Sequence, residues 1–347
     1  NHPWSQLTPA DVAHLDERDR HKYTEFLYLA DIDQDGQVTA AESQSRDALA
    51  LLQQGGVPLI DDTADGSQGS DLMHHKFIII DRRIVLVGSA NFTLSGVHGD
   101  YTAPESTGNA NHLLKIESPA LAEAFTAEFN CLWGDGPGGR DNSLFGLQKP
   151  PRQPQTITLA PNSSITVQFS PTSPSRQDWT ASANGLIGTE LDRATQSIDM
   201  ALFVFSDQNL TPTLEHRHQQ GVQIRALIDP GFAYRSYSEA LDMMGVALPN
   251  NQCAVEENNH PWSSPLTTVG VPHLADGDVL HHKFGIVDGH TVITGSQNWS
   301  EAANHSNDEN VVIIHNAVVA AHFQREFERL YQEASLGIPA WLQERIT

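Results

Sequence analysis

The chain has 347 residues, of which 39% are hydrophobic and 18% charged, so it is long enough for two domains and is neither disordered nor a small disulfide-stabilised peptide. It carries 20 basic and 43 acidic residues, and the net charge of −23 repels phosphate backbones and anionic membranes unless the contact is locally basic or bridged by cations. The charge therefore favours a small or neutral-headed substrate, and no apolar run approaches the roughly 18 residues that a membrane span needs.

The first 70 residues contain a predicted metal-binding loop between two helices. Helices are predicted over residues 16–30 and 41–53, and residues 31–42 fit the twelve-residue EF-hand calcium pattern. This pattern has carboxylates at positions 1, 3 and 5, a glycine at position 6, a backbone carbonyl at position 7 and a bidentate glutamate at position 12. The predicted calcium ligands are Asp31, Asp33, Asp35, Gln37 and Glu42. The alternative is an acidic turn without metal.

Residues 5–70 as a whole are predicted to form an insertion that carries −9 of the net charge. We expect weakly bound calcium to hold this insertion in place near the cleft. The tail at residues 61–70 predicts a flexible, solvated loop, with gating of the site as the alternative.

One pattern occurs twice at a constant offset of 207 residues: a histidine, a lysine two positions later, an aspartate, and a Gly-Ser-x-Asn tail. The candidate site residues are His74, Lys76, Asp81 and Asn91 in the first copy and His281, Lys283, Asp288 and Asn298 in the second. Shorter matches flank the pattern, with Asn-His-Pro-Trp before it and Phe-x-x-Glu-Phe after it. We therefore divide the chain into a first repeat (1–135), a Gly/Pro-rich linker (136–160) and a second repeat (161–347).

The second repeat alternates predicted strands and helices. The strands are predicted over residues 163–169, 197–206, 222–229, 284–288, 291–294 and 310–315, and the helices over 181–196, 210–220 and 317–333. This alternation predicts an α/β sandwich with a mixed sheet. About 95 residues of the second repeat precede its Asn-His-Pro-Trp, and the first repeat has no counterpart to them in this sequence. We expect an upstream segment of the same polypeptide to complete the first repeat.

The doubled pattern resembles that of the phospholipase D superfamily, also called the HKD family. The resemblance implies an α/β fold of two phospholipase D-like α/β/α sandwich repeats with mixed sheets, related by a pseudo-twofold axis, with a small helical EF-hand-like insertion. It also implies a phosphodiesterase in which one histidine from each repeat shares a single site, without a catalytic metal. Members of the family act on phospholipids, nucleic acids or related diesters.

The residue types in the pattern suit phosphodiester cleavage. A neutral histidine can attack phosphorus to give a phosphohistidine, while a second histidine protonates the leaving alcohol and later activates water. The lysines and asparagines can donate to the non-bridging oxygens, and strand alternation puts each histidine and lysine on one face. His75 and His282 then point the opposite way, and Asp81 and Asp288 are expected to be mainly structural.

Glu309 is a further candidate, since it stands where the resemblance places a carboxylate against the other ring nitrogen of a catalytic histidine. We expect it to support His281, which would make His281 the nucleophile and His74 the acid; the reverse assignment stays open. The aligned residue of the first repeat is Ala110. The candidates to contact His74 are then Glu105 and Asp100, in the longer loop of the first repeat.

A phospholipid is favoured over a nucleic acid as the phosphodiester substrate, because no cluster of basic residues is interleaved with aromatics. Trp4 and Trp262, upstream of the two motifs, suit a cleft mouth and transient membrane-surface contact, with buried packing as the alternative. The acidity and the calcium loop favour an extracytoplasmic or secreted protein. The alternatives are an endonuclease of the same superfamily and an inactive calcium-dependent binding protein, in which His74 and His281 would lie too far apart to share one phosphate.

Overall fold

The computed structural model describes residues 4–62, 71–100, 103–172 and 179–346. The N-terminal Asn-His-Pro of the first Asn-His-Pro-Trp and residues 63–70 of the predicted flexible loop lie outside the described residues. No helix in the described part of the chain is both long enough and apolar enough to cross a bilayer.

The insertion contains four helices in its described part: α1 (Pro9–His14), α2 (Glu17–Ala30), α3 (Ala40–Arg46) and α4 (Ala48–Gln54). The prediction of one helix over residues 41–53 is wrong, because the chain breaks into two helices at Asp47. This residue is extended, and its carboxylate accepts the backbone N–H groups of Leu49 and Ala50. Asp47 therefore ends α3 and caps the N-terminus of α4.

The first repeat forms a three-stranded antiparallel sheet and one long helix. Its elements are β1 (Phe77–Ile80), β2 (Ile84–Gly88), the short α5 (Leu94–Val97), β3 (Leu113–Glu117) and α6 (Pro119–Trp133). The strands lie in the order β1-β2-β3. Helix α6 begins at a Ser118 cap with proline in its first turn, and it buries Leu121, Phe125 and Leu132.

The large sheet of the second repeat is mixed, as predicted, and it has nine strands in the described part of the chain. Its elements begin with β4 (Gln155–Ala160), β5 (Ser163–Ser170), α7 (Ala183–Leu191), β6 (Ser197–Leu202), β7 (Phe205–Ser206), α8 (Thr211–Gln219) and β8 (Gln223–Ile228). They continue with α9 (Glu239–Met243), β9 (Val269–Val271), β10 (Lys283–Val287), β11 (Thr291–Gly295), β12 (Trp299–Ser300), α10 (Glu301–His305), β13 (Glu309–His315), α11 (Ala317–Tyr331), β14 (Ser335–Leu336) and α12 (Ala340–Ile346).

The strand order of the large sheet is β14-β9-β8-β6-β10-β11-β13-β5-β4. Strands β6, β8 and β9 run parallel, and the other neighbours run antiparallel. Strand β4 lies within the stretch 136–160 that the sequence assigns to the linker. The Gly/Pro-rich composition ends at Pro154, and the next six residues pair with β5 across a two-residue turn.

Two hydrophobic cores cover the two faces of the large sheet. One contains side chains of α7, α8 and α9 packed on β6 and β8. The other lies between the repeats and joins Phe125 of α6 to Phe169 of β5, Phe284 of β10 and Phe323 of α11. The rings of Phe125 and Phe169 meet edge to face with centroids 5.1 Å apart. The repeats therefore share a hydrophobic core.

The first repeat has an open sheet edge among the described residues. Strand β10 pairs with both β11 and β6, whereas its counterpart β1 pairs with β2. Phe92 is 61% exposed while the equivalent Trp299 is 1% exposed, and Leu113 is 56% exposed while Val311 is fully buried. The completion of this repeat by an upstream segment stays a prediction, and these apolar side chains are the surface that such a segment would cover.

Replacing Phe125 with alanine tests the shared core. Because the ring is fully buried, we expect the free energy of unfolding to fall by about 3–5 kcal/mol in urea denaturation. Phe129, on the same helix, is 43% exposed, and Phe129→Ala is expected to cost less than about 1 kcal/mol. Equal losses in the two variants would show that the interface is not a core.

Candidate active site

The two repeats exchange short parallel bridges that bring the histidine motifs together. The residue before His74 bridges Asp308 of the second repeat, and the residue before His281 bridges Ala110 of the first. The N–H of His74 donates to the carbonyl of Asp308, and the N–H of His281 donates to the carbonyl of Ala110, both at 3.0 Å. His74 therefore lies beside the segment that leads into β13 of the second repeat, and His281 lies beside the segment that leads into β3 of the first.

Glu309 contacts His74, so the expectation that it supports His281 is wrong. Its Oε1 lies 2.7 Å from Nδ1 of His74, and its side chain is fully buried. The reason is the exchange between the repeats, which carries the start of β13 to the first motif. Asp100, a candidate for this role, lies instead 3.8 Å from the ring of His21 in the insertion.

His281 has an amide as its partner. Oδ1 of Asn111 lies 2.9 Å from Nδ1 of His281, and Nδ2 of Asn111 donates to the carbonyls of Gly96 and Asn109. Because the two carbonyls accept from the amide nitrogen, the amide oxygen faces the ring and Nδ1 of His281 donates to it. In the neutral ring this leaves the lone pair on Nε2.

The sheet register shows which residues of the two repeats correspond. Leu113 pairs with the glycine of the first motif tail, and Val311 pairs with the glycine of the second. Two positions earlier stand Asn111 and Glu309, which are therefore equivalent. The sequence alignment that set Ala110 against Glu309 is wrong by one residue, because it followed a shared asparagine and not the hydrogen-bond register.

Glycine is required in both motif tails by a close approach of two backbones. A Cβ on Gly88 would lie 2.1 Å from the carbonyl oxygen of His112, and a Cβ on Gly295 would lie 2.2 Å from that of Asn310. The serine after each glycine accepts the N–H of the same residue, at 3.1 and 3.0 Å. The Gly-Ser pair thus sets the position of the strand segment that supports each motif histidine.

The two motif lysines are buried beside the histidines. Nζ of Lys76 donates to the carbonyl of His74 at 2.5 Å, and Nζ of Lys283 donates to that of His281 at 2.9 Å. Burial lowers the pKa of Lys76 to about 8 against the attraction of Glu309. Burial, together with repulsion from Lys76, lowers the pKa of Lys283 well below its usual value. Each ammonium therefore destabilises the other, and an anion placed between them would relieve that repulsion.

Both motif histidines also have lowered pKa values, and burial is the largest cause for each. Attraction by Glu309 partly opposes this effect at His74. Repulsion from Lys283, Lys76 and His74 adds to it at His281, whose pKa falls to about 2. The backbone bridges between the repeats bring these four groups into one region of the molecule, and the sharing of one phosphate by the two histidines stays a prediction.

The remaining motif residues have different surroundings. Asp288 has a φ of +52°, and its carboxylate accepts the N–H groups of residues 195–197 at the start of β6. Burial would raise the pKa of Asp288, but these hydrogen bonds lower it. Asp81 has the same φ of +52° and is exposed. Asn91 and Asn298 are half-buried, and their role as donors to substrate stays a prediction.

The second histidine of each motif has a glutamate partner that the sequence analysis missed. Nε2 of His75 lies 3.3 Å from Glu128 of α6, and Nε2 of His282 lies 3.0 Å from Glu326 of α11. Both glutamates belong to the repeated Phe-x-x-Glu-Phe, which was the available signal. Asn111 was also missed, and the register of β3 against β2 was needed to find it.

The predicted calcium loop brings three of its ligands together. Their carboxylate oxygens lie within 4.8 Å of one another in Asp31, Asp33 and Asp35. Gly36 has a φ of +84°, and its N–H donates to Asp31 at 2.8 Å. Glu42 is not in this cluster: Oε2 of its carboxylate accepts from the backbone and hydroxyl of Thr39, and Oε1 accepts the N–H of Ile32 at 2.7 Å. These bonds lower the pKa of Glu42 to about 2.

Comparison with known protein families finds one matching family model, described as cardiolipin synthase, PLD-like domain. It matches residues 20–133 and 187–331, and these segments cover both motifs.

Curated relatives include the mitochondrial cardiolipin hydrolases of Xenopus laevis and Homo sapiens. The first is 32% identical over 156 residues, which are 44% of this chain and 63% of that protein. The second is 31% identical over 140 residues, which are 40% of this chain and 47% of that protein. The chain thus spans about half to three-fifths of the length of these relatives.

Two solved structures are also similar. Nuc, a phospholipase D family member from Salmonella typhimurium, aligns with a TM-score of 0.38 and 25% identity, over 51% of this chain and 99% of that one. The phosphatidylserine synthase of Haemophilus influenzae Rd KW20 aligns with a TM-score of 0.49 and 14% identity, over 76% of this chain and 63% of that one.

A Glu309→Gln variant tests the pairing of this residue with His74. The amide keeps the shape of the side chain but removes the negative charge that stabilises the imidazolium, so we expect the pKa of His74 to fall further. An NMR titration of the His74 ring measures this change. Asn111→Asp is the reciprocal variant and is expected to raise the pKa of His281. An unchanged His74 titration in Glu309→Gln would contradict the pairing.

Proposed function

The chain belongs to the phospholipase D-like family, and we propose on this premise that it is a phosphodiesterase in which His74 and His281 share one site and cleavage passes through a phosphohistidine. The observation that carries the proposal is that backbone bridges between the repeats bring together two histidines and two buried lysines, one pair from each repeat. We expect the reaction to need no catalytic metal.

A phosphodiester anion suits the charge of this site. Lys76 and Lys283 are both buried, and Glu309 is the carboxylate that attracts both of them. A bound phosphodiester brings a negative charge to the two ammonium groups, which would then retain their protons. The same lysines would stabilise the charge that develops on the non-bridging oxygens in the transition state.

The reaction runs in two steps. Nε2 of one histidine attacks phosphorus, the bond to the leaving oxygen breaks, and the other histidine gives that oxygen its proton, so that an alcohol leaves. Water then attacks phosphorus and gives a proton to the second histidine, and the phosphorus–nitrogen bond breaks. The products are an alcohol and a phosphomonoester, and both histidines return to their starting state.

The support from Glu309 favours His74 as the nucleophile. A ring that carries a phosphoryl group on Nε2 and a proton on Nδ1 is cationic, and a carboxylate hydrogen-bonded to Nδ1 stabilises it. His281 is then the acid. Its low pKa in the free site arises first from burial and then from repulsion by the lysines, so a bound phosphodiester anion would help it to hold a proton.

A phospholipid remains the favoured substrate. The curated relatives at 31–32% identity are named as cardiolipin hydrolases, and the net charge of −23 opposes the approach of a nucleic acid. Transient contact with a membrane surface and an extracytoplasmic location remain part of the proposal. The exposed apolar surface of the first repeat supports its completion by an upstream segment.

Calcium in loop 31–42 is proposed as an accessory of this enzyme. The cluster of Asp31, Asp33 and Asp35 supports the site, because calcium prefers several carboxylate oxygens. Glu42 would have to leave Thr39 to act as the bidentate ligand. The ion would then hold the insertion in its folded form, and it would take no part in the chemical steps.

Turnover of cardiolipin, phosphatidylcholine and single-stranded DNA by the wild type tests the proposed activity. Lipids are presented in neutral detergent micelles so that surface charge does not decide the result. We expect the wild type to cleave the lipids. We expect kcat to fall by about 10²- to 10⁴-fold in His281→Ala, because a proton donor is removed, and by up to about 10⁶-fold in His74→Ala. Cleavage of DNA alone would favour the endonuclease alternative, and no turnover of any of the three substrates would contradict the proposed phosphodiesterase activity.

Trapping the intermediate tests the assignment of the histidines. Because His281→Ala slows hydrolysis of the phosphohistidine, an alkaline quench followed by peptide mass spectrometry is expected to find the phosphoryl group on His74. The parallel experiment on His74→Ala is expected to find none. A phosphoryl group on His281 in the wild type would reverse the two roles.

Calorimetric titration with calcium tests the loop. We expect one site with a Kd of about 10⁻⁴ to 10⁻³ M, as in extracellular modules, and its loss in Asp33→Ala. Asp11→Asn, which removes an acidic residue of α1 outside the loop, is the matched control and is expected to bind normally. Lipid turnover that survives EDTA would agree with an accessory role, and unaltered binding in Asp33→Ala would exclude this loop.

A further inference from the structure

A buried cluster of charges lies behind the first motif and is held together by a lysine from the segment between the repeats. The side chain of Lys149 is 3% exposed, and its Nζ contacts the carboxylate of Glu128, Oδ1 of Asp308 at 2.6 Å and the carbonyl of Ser170 at 2.8 Å. An ammonium group has three protons, so these three acceptors use all of them. The lysine thus joins α6, β5 and the segment before β13.

Asp308 connects this lysine to the first motif. Its N–H donates to the carbonyl of Leu72 at 2.8 Å, and its carbonyl accepts the N–H of His74. The next residue is Glu309, which holds Nδ1 of the same histidine. The backbone and the ring of His74 are therefore both fixed by a two-residue segment whose first side chain is bound to Lys149.

Glu128 connects the lysine to the same motif by a second route. Its carboxylate contacts Nε2 of His75, the neighbour of His74 in the chain. Nδ1 of His75 in turn lies 3.1 Å from the amide of Asn310. Burial would raise the pKa of Glu128, but His75 and Lys149 hold it at about 2, so the group is a carboxylate at neutral pH.

The second motif provides an internal comparison. There the bridge to His281 is made by Ala110, which has no carboxylate. The glutamate on its neighbour His282 is Glu326, which is 29% exposed and paired with Arg329, itself 61% exposed. The backbone bridge thus forms on this side without a buried lysine, so the lysine cluster is not a requirement of the fold unit.

We propose that Lys149 is a positioning residue that acts through Asp308 and Glu309 to hold His74 in the geometry for attack, a role that rests on the proposed function. Without its charge, Asp308, which is 2% exposed, would lose the cation that it shares with Glu128, whereas Glu128 would keep its contact with Arg152 at 3.2 Å. Asp308 would turn away or take up a proton, and the segment that carries Glu309 would shift. A displacement of about 1 Å at a reacting group costs up to about a hundredfold in rate.

The test compares Lys149→Met, Lys149→Arg and Arg329→Met, which removes the cation paired with Glu326 in the second repeat. The first readout needs no substrate: the downfield proton resonance of the Nδ1–H of His74, assigned by its loss in Glu309→Gln. We expect Lys149→Met to shift or broaden it, Lys149→Arg to restore it, and Arg329→Met to leave it unchanged. In turnover we expect kcat to fall about ten- to a hundredfold in Lys149→Met with KM within about twofold.

An unaltered resonance and kcat in folded Lys149→Met would overturn the proposal, as would a lower melting temperature as the sole change. If Lys149→Met does not fold, Asp308→Asn replaces it, because the amide keeps the backbone bridge but loses the charge that the lysine binds. The resonance also separates the two hypotheses. If the wild type shows the resonance but no turnover, the proposed phosphodiesterase activity is excluded. A shift of the resonance in Lys149→Met would still support the positioning role.

Discussion

The exchange of backbone hydrogen bonds between the repeats is the constraint on which the site depends. The N–H of His74 is bound to the second repeat and the N–H of His281 to the first, so neither motif can shift independently of the other repeat. Main-chain atoms make these bonds, and the side chains at the bridging positions are therefore free to differ. Asp308 stands on one side and Ala110 on the other. The asymmetry of the site arises from side chains placed on a nearly symmetric backbone.

The site is assembled at an electrostatic cost that the shared core offsets. Two lysines and His281 are buried beside the half-buried His74, and the lowered pKa values of all four groups disfavour their charged forms. The aromatic core around Phe125 and Phe284 supplies the apolar burial that keeps the repeats joined in spite of this repulsion. The four side chains are thereby held in place by the protein itself, and in the proposed reaction they would be positioned in advance to stabilise a developing negative charge.

The repeat made the overall architecture predictable, because one motif that occurs twice at an offset of 207 residues defines two equivalent units. Strands such as β5 and β10 begin and end within one residue of their predicted limits. The partner of each histidine was not predictable in the same way, since it lies in the other repeat and depends on a one-residue register. Sequence identity aligned Asn111 with Asn310, whereas the hydrogen-bond register of the strands makes Asn111 equivalent to Glu309. The break at Asp47 was missed for a similar reason, because a capping carboxylate leaves little trace in apolar periodicity.

Among the described residues one edge of β1 has no strand partner, and this edge has a consequence for the behaviour of the chain in solution. The strand consists of Phe77 followed by three isoleucines, without a charge or a proline to discourage pairing with another strand. The upstream segment proposed to complete the first repeat would cover this edge. If the edge stayed open, a second copy of the chain would have a strand to pair with, opposed by mutual repulsion from the net charge of −23. Salt screens this repulsion over about 8 Å at physiological ionic strength. With the edge open, self-association would therefore be favoured by added salt and opposed by dilution into low-salt buffer.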